Sequence, residues 1–213
     1  MSDIVLVTSY CGGVNPQQKE HMTRTICKKI KEQGLPVCLA THSPVPVDIQ
    51  EYCDVVVYDA DNSFKYCGYP TRDNNHGVAE LKSVWNALGI LERKGYTHFL
   101  KVAYDNIPTL DYVDLVNKCR ETNKDIVTAK WGNNITFGFH MFYSNIDMFW
   151  DTCGPDVVMK CDKDLEYAWY DSTIEQGLMD FVHLIDNYHN FLGHDIIQYC
   201  HAGGTIVDGY PYA

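Results

Sequence analysis

The strongest constraint on the fold is the rhythm of the chain's opening, where short unbroken apolar runs alternate with an amphipathic stretch and turn signals. The run DIVLVTS (3–9) has no polar alternation, as a strand covered on both faces requires. NPQQKEHMTRTICKKIKEQG follows, with Met22, Ile26 and Ile30 at four-residue spacing and Gly34 closing a helix. LPVCLATHS (35–43) and CDVVVYDA (53–60) read as second and third strands. A β-α-β-β opening of this kind predicts an α/β fold with a mostly parallel sheet and helices on its faces.

The same rhythm continues. DNSFKYCGYPTRDNN (61–75) is an irregular loop of the length usually given to lids or binding loops. GVAELKSVWNALGILERKG (77–95) places Leu81, Val84, Trp85, Leu88 and Leu91 on one helical face. Next comes THFLKVAYDNIPT (97–109), a buried-looking strand that breaks into Asp105-Asn106 before Pro108. PTLDYVDLVNKCRETN reads as helical, DIVTAKW (125–131) and ITFGFHMFYS (135–144) as strands, and 165–189 as helical in whole or part. The C-terminal stretch reads as short-stranded and loop-rich. About six strands are expected in all, within one domain over 1–213.

Composition narrows the function classes. A formal net charge of −11 argues against a nucleic-acid footprint, which needs clustered Lys and Arg. No apolar run approaches the roughly 18 residues of a membrane span, and MSDIVLVTSYCG reads as a first strand rather than a signal peptide. The nine cysteines form no C-x-x-C pair, which predicts reduced, buried thiols and a cytoplasmic location. Dinucleotide, Walker, zincin and serine-hydrolase motifs are absent.

What remains is acidic residues at strand C-termini, the edge at which open α/β sheets bind ligands. Asp105 suits a hard divalent cation that also bridges substrate phosphates, or else caps the DNIPT turn. Asp59 and Asp61 form a literal Asp-x-Asp after the third strand and before the long loop, or simply solvate the turn into it. Thr8, Ser9 and Tyr10 end the first strand, as ordinary strand-end polarity or as the lining of a ligand pocket. Arg72 and Lys82 flank the loop-to-helix junction, where a cation would neutralise diphosphate charge, although Lys82 also fits a solvated helix face. Tyr66 and Tyr69 are loop aromatics able to stack on a base or sugar.

Three segments carry a family resemblance: YTHFLKVAYDNI (96–107), TIEQGLMDF (173–181) and YCHAGG (199–204). In this order they resemble the metal-bearing strand, the Asp-Gln-Gly segment and the late histidine of GT-A glycosyltransferases, including those that build chlorella-virus capsid glycans. The resemblance implies a nucleotide-binding half over about 1–107 and an acceptor half over about 108–213. It implies a UDP-sugar donor, a Mn2+ or Mg2+ ion on Asp105 and His201 (with His194 as substitute), and a glycan or glycoprotein acceptor. Thr8, Ser9 and Tyr10 would line the base pocket, and Asp59 or Asp61 would accept from a base N–H or a ribose hydroxyl. Tyr104 would join these nucleotide-binding residues. Glu175 and Gln176 would flank the donor sugar in a retaining transfer, or else only begin an exposed helix. Such an enzyme would serve viral glycan synthesis in the host cytoplasm, and a longer natural chain with further domains is compatible with it. The chain departs from the pattern at Ala103, where the family has its first Asp, and at Glu175 and Asp180. Ala103 keeps a non-catalytic nucleotide-sugar or carbohydrate-binding module in play. A sugar-nucleotide pyrophosphorylase is the other alternative, for which SYCGGVNPQQKE is a poor match to the loop required.

Overall fold

A computed structural model describes residues 2–9, 16–61, 76–105, 110–130, 136–158, 165–186 and 188–193. The chain runs β1 (Asp3–Ser9), α1 (Pro16–Glu32), β2 (Val37–Thr41), α2 (Val47–Gln50), β3 (Val55–Tyr58), α3 (His76–Arg93) and β4 (His98–Ala103). It continues with α4 (Tyr112–Glu121), β5 (Ile126–Lys130), β6 (Phe137–Asn145), α5 (Ile146–Cys153), α6 (Pro155–Val158) and α7 (Leu165–Glu175). A 3-10 turn (Met179–Phe181), β7 (Val182–Ile185) and α8 (Tyr188–Leu192) complete it.

The described strands form one seven-stranded sheet in the order β3-β2-β1-β4-β6-β5-β7. Every neighbouring pair is parallel except those made by β6, which is antiparallel to both β4 and β5. The expected α/β class and mostly parallel sheet are thus observed, with seven strands rather than about six.

The unbroken apolar run of β1 has its predicted cause. Ile4 and Leu6 enter a core with Trp85, Leu88, Phe142 and Trp169, whereas Val5 and Val7 enter a second core with Ile26, Ile30, Leu115 and Tyr143. Burial on both faces removes the need for alternation. Helix α3 packs on the first face over β1, β2 and β3, and α7 packs there on β6. The second face is covered by α1 and contributes residues of α4.

Some elements fall outside the sequence expectations. Helix α5, with Ile146, Phe149 and Cys153 on its buried face, is capped by the Asn145 side chain, which accepts from the Met148 N–H. Strand β7 lies inside a stretch whose spacing reads as helical, but Gly177 ends α7 first, at φ +69°. Its N–H donates to Ile174 O and the N–H of Leu178 to Thr173 O, the paired closure that glycine permits at a helix C-terminus.

Candidate active site

The strand order reverses at β1, with β2 on one side and β4 on the other, and the carboxyl ends of strands at such a reversal are where open α/β sheets place their ligand crevice. Thr8 is in register with Ala103, and the N–H of Tyr104 donates to Thr8 O at 2.9 Å. This seats Tyr104 and Asp105 beside the last residues of β1. Tyr104 is half-buried, and Asp105 is 9% exposed.

The hydroxyls at the end of β1 face inward. Thr8 Oγ1 donates to Glu80 Oε1 of α3 at 2.7 Å. Ser9 Oγ and Thr23 Oγ1 are 2.7 Å apart, and since Thr23 gives its proton to Lys19 O, Ser9 is the donor. Both residues are buried, so their hydroxyls are engaged within the fold and brace the end of β1.

At the end of β3, Asp59 and Asp61 are gathered by Lys82. Its Nζ lies 3.2 Å from Asp59 Oδ2 and 3.0 Å from Asp61 Oδ2, and also donates to Asp61 O. Asp59 further accepts from the Asn86 side chain at 3.0 Å and from the Asp61 N–H at 2.9 Å. Lys82 is therefore neither a solvated face residue nor a free cation facing a diphosphate, because two carboxylates already hold it. His42, just past β2, bonds Asp59 O and Ala79 O at 2.9 Å each, and Ser83 Oγ lies 2.8 Å from its Nε2.

Sequence reasoning missed the residues that tie these ends together. Lys101 is 0% exposed inside β4. It donates to Glu80 Oε1 at 2.5 Å, Phe139 O at 2.7 Å and His140 O at 3.4 Å. All three ammonium protons have acceptors, and the Phe139 ring lies 4.7 Å away. Burial opposes ionisation of Glu80, but the charge and hydrogen bond of Lys101 and the Thr8 hydroxyl outweigh it and hold the carboxyl below its ordinary range. Burial and then the Lys101 charge lower His140, against the pull of Glu80, so the imidazole favours its neutral form. The signal available in sequence was a lysine in the middle of the apolar run FLKVA.

Glu175 and Gln176 do not join the site. They stand at the C-terminus of α7, not at a helix start, and the Gln176 amide donates to Asp151 O and Ser172 Oγ. The chain then enters β7 at Val182, in register with Ile126, itself paired with Ser144. Ser144 pairs with Phe99 near the amino end of β4, so this is the sheet edge opposite Asp105. Tyr10, Arg72 and His201 lie outside the described residues, as do Tyr66, Tyr69 and His194.

Among the described residues, no three His, Cys, Asp or Glu side chains converge to hold a metal ion. The Ala103 side chain carries no oxygen, so Asp105 is the carboxylate that follows β4 among the described residues. No helix among the described residues is long and apolar enough to cross a membrane.

No protein-family model and no curated sequence matches the chain. Solved structures do. A protein of Desulfovibrio desulfuricans G20 described as a nucleotide-diphospho-sugar transferase aligns with a TM-score of 0.52 at 11% identity, covering 87% of this chain and 80% of that one. Glucosyl-3-phosphoglycerate synthase from Mycobacterium tuberculosis, in complex with Mn2+, UDP and glucosyl-3-phosphoglycerate, aligns at 0.52 with 8% identity, covering 86% and 69%. A glycosyltransferase involved in glycosylation of the major capsid of PBCV-1 aligns at 0.51 with 10% identity, covering 95% and 94%. Identities this low speak to architecture alone, and the architecture is the GT-A, nucleotide-diphospho-sugar transferase fold.

Proposed function

We propose that this chain is a glycosyltransferase that takes a sugar from a nucleoside-diphosphate donor, UDP-linked, and passes it to a glycan or glycoprotein acceptor. The observation that carries the reading is a buried carboxylate, Asp105, at the carboxyl end of β4 beside the strand-order reversal of a GT-A sheet. The M. tuberculosis structure of the same architecture holds UDP and Mn2+, which supports a nucleotide donor and a divalent cation here.

In this reading Asp105 supplies an oxygen to Mn2+ or Mg2+, with His201 as the second protein ligand. When bound, such an ion stabilises the charge that develops on a departing diphosphate. The chain's own residues do the rest. Tyr104 stands beside the end of β1, and the inward bonds of Thr8 and Ser9 hold that end still. Asp61, the more exposed of the two acids on Lys82, turns to the nucleoside while Asp59 holds its strand end in place. Glu175 and Gln176, at the far edge of the sheet, receive no role at the donor sugar.

Ala103 favours one other reading, a nucleotide-sugar-binding module without turnover. Thermal shift with UDP, GDP and CMP, each with and without Mn2+, followed by incubation with UDP-sugars, tests both. The enzyme reading expects stabilisation by UDP with Mn2+ and slow release of free sugar. Binding without any release would favour the module, and no nucleotide response would sink both.

A further inference from the structure

We propose that Lys101 is a positioning residue for the candidate site, acting through Glu80 and the Phe139–His140 backbone to lock the ends of β1, β4 and β6 in one arrangement. The bonds that define this role meet at a single ammonium. Toward α3 it grips Glu80, which in turn takes the Thr8 hydroxyl of β1. Toward β6 it grips the carbonyls of Phe139 and His140. Those carbonyls stand where β6 loses its regular register against β5: Thr128 pairs with Phe142, whereas Lys130 pairs with Phe137. A backbone that leaves its ladder needs other partners for its carbonyls, and Lys101 supplies them.

A buried ion pair is weak grounds for assigning stability, since an apolar pair of similar shape often serves as well. Its distinctive contribution is directional: the lysine has three protons and three fixed acceptors, so one geometry satisfies it. Two residues along α3, Lys82 binds the carboxylates at the end of β3, and Ala79 O and Ser83 are bound by His42 at the end of β2. One helical segment thereby ties together the ends of all four parallel strands around the crevice. Lys101 is the part of that tie that extends it across β4 to β6.

The test uses the full chain with Lys101→Met, Glu80→Gln and the double variant. Lys101→Met leaves the buried Glu80 and two carbonyls without their donor, Glu80→Gln leaves Lys101 without its counter-charge, and each lowers Tm. The double removes both charges and recovers most of the Tm. Amide hydrogen exchange then reads positioning directly at the Tyr104 N–H, which bonds Thr8 O at the crevice. The proposal expects exchange there to quicken by at least about tenfold in the double variant, while amides in the middle of β1 and β4 hold their protection. Unchanged exchange at Tyr104, with Tm recovered, would overturn it. If the double does not fold, exchange is read in Lys101→Met, which removes the tie to Phe139 and His140. Glu80→Gln, whose amide oxygen still accepts from Thr8 and Lys101, is then the control expected to hold wild-type exchange.

Affinity for UDP with Mn2+ is the second arm, and only this arm rests on the proposed function. A weakening of about tenfold or more in the stable double variant supports positioning. Unchanged affinity with unchanged exchange makes the pair a structural filler. If the wild type binds no UDP, the donor reading fails and the exchange result alone decides the role of Lys101.

Discussion

Lys82 of α3 and Asp59 at the end of β3 meet at 3.2 Å, and the same ammonium reaches Asp61 at 3.0 Å. The lysine is 7% exposed, while the two carboxylates are progressively more open. The strand end and the helix are thus joined by one cation shared between two acids. Replacing Lys82 with Met leaves Asp59 partly buried without its counter-charge. The expected cost is about 1–2 kcal/mol in urea unfolding, discounted for the solvent that reaches Asp61. Asp61→Asn, at the exposed end, should change stability by less than about 0.5 kcal/mol.

Acid should destabilise the fold in two stages. Burial lowers His98 against the pull of Asp125, and burial with the Lys101 charge lowers His140, both from an ordinary 6.5. The unfolded chain then binds more protons than the folded one below that value, so stability is fully present above it and falls as pH falls. Glu80 and Asp54 are also depressed, from 4.5 and 3.8, and their contributions are lost at lower pH as each folded carboxylate takes its proton. Calorimetric Tm measured from about pH 7.5 down to about 5 should decline, and His140→Gln should flatten that decline.

Glu175→Ala and Gln176→Ala test the placement of the end of α7. Because these residues stand at the sheet edge opposite Asp105, each variant should keep nucleotide affinity within about twofold of wild type. Gln176→Ala should lower stability by about 1 kcal/mol through its bonds to Asp151 O and Ser172 Oγ. Isothermal titration and urea unfolding on the same samples separate the two effects. A large loss of affinity in either variant would contradict the placement.

Gly177→Ala probes the closure of α7. The residue sits at φ +69° with nothing within 4 Å of an added Cβ, so the penalty is purely conformational. About 1 kcal/mol is expected, again by urea unfolding.

The parts of this architecture that were legible in the sequence are those set by periodicity. β1 announces burial on both faces through its unbroken apolar run, and α1 and α3 show their stripes and end near glycines that adopt positive φ, Gly34 and Gly95. β7 was hidden because VHLI is too short to outweigh the helical spacing around it, and only Gly177 hinted at the break. The positions of Asp105 and Asp59 at strand ends were readable because carboxylates after apolar strands stand out. The inward bonds of Thr8 and Ser9 and the capture of Lys82 were not, since they depend on which way side chains turn once β1, β3 and α3 are packed. Lys101 was the informative anomaly: a charge inside FLKVA has to find partners in the core, and these proved to be Glu80 and two carbonyls of β6. Glu175 and Gln176 were misplaced because a short motif fixes neither the direction of a helix nor the sheet edge at which it ends.

Asp105 is proposed to link a divalent cation to nucleotide binding at the end of β4. Isothermal titration of UDP into the wild type and into Asp105→Ala, each with and without Mn2+, tests it most directly. The account predicts that Mn2+ tightens UDP binding to the wild type by at least about tenfold and that Asp105→Ala, still folded by circular dichroism, loses that enhancement. Metal-independent binding by the wild type, or an enhancement that survives in Asp105→Ala, would contradict it.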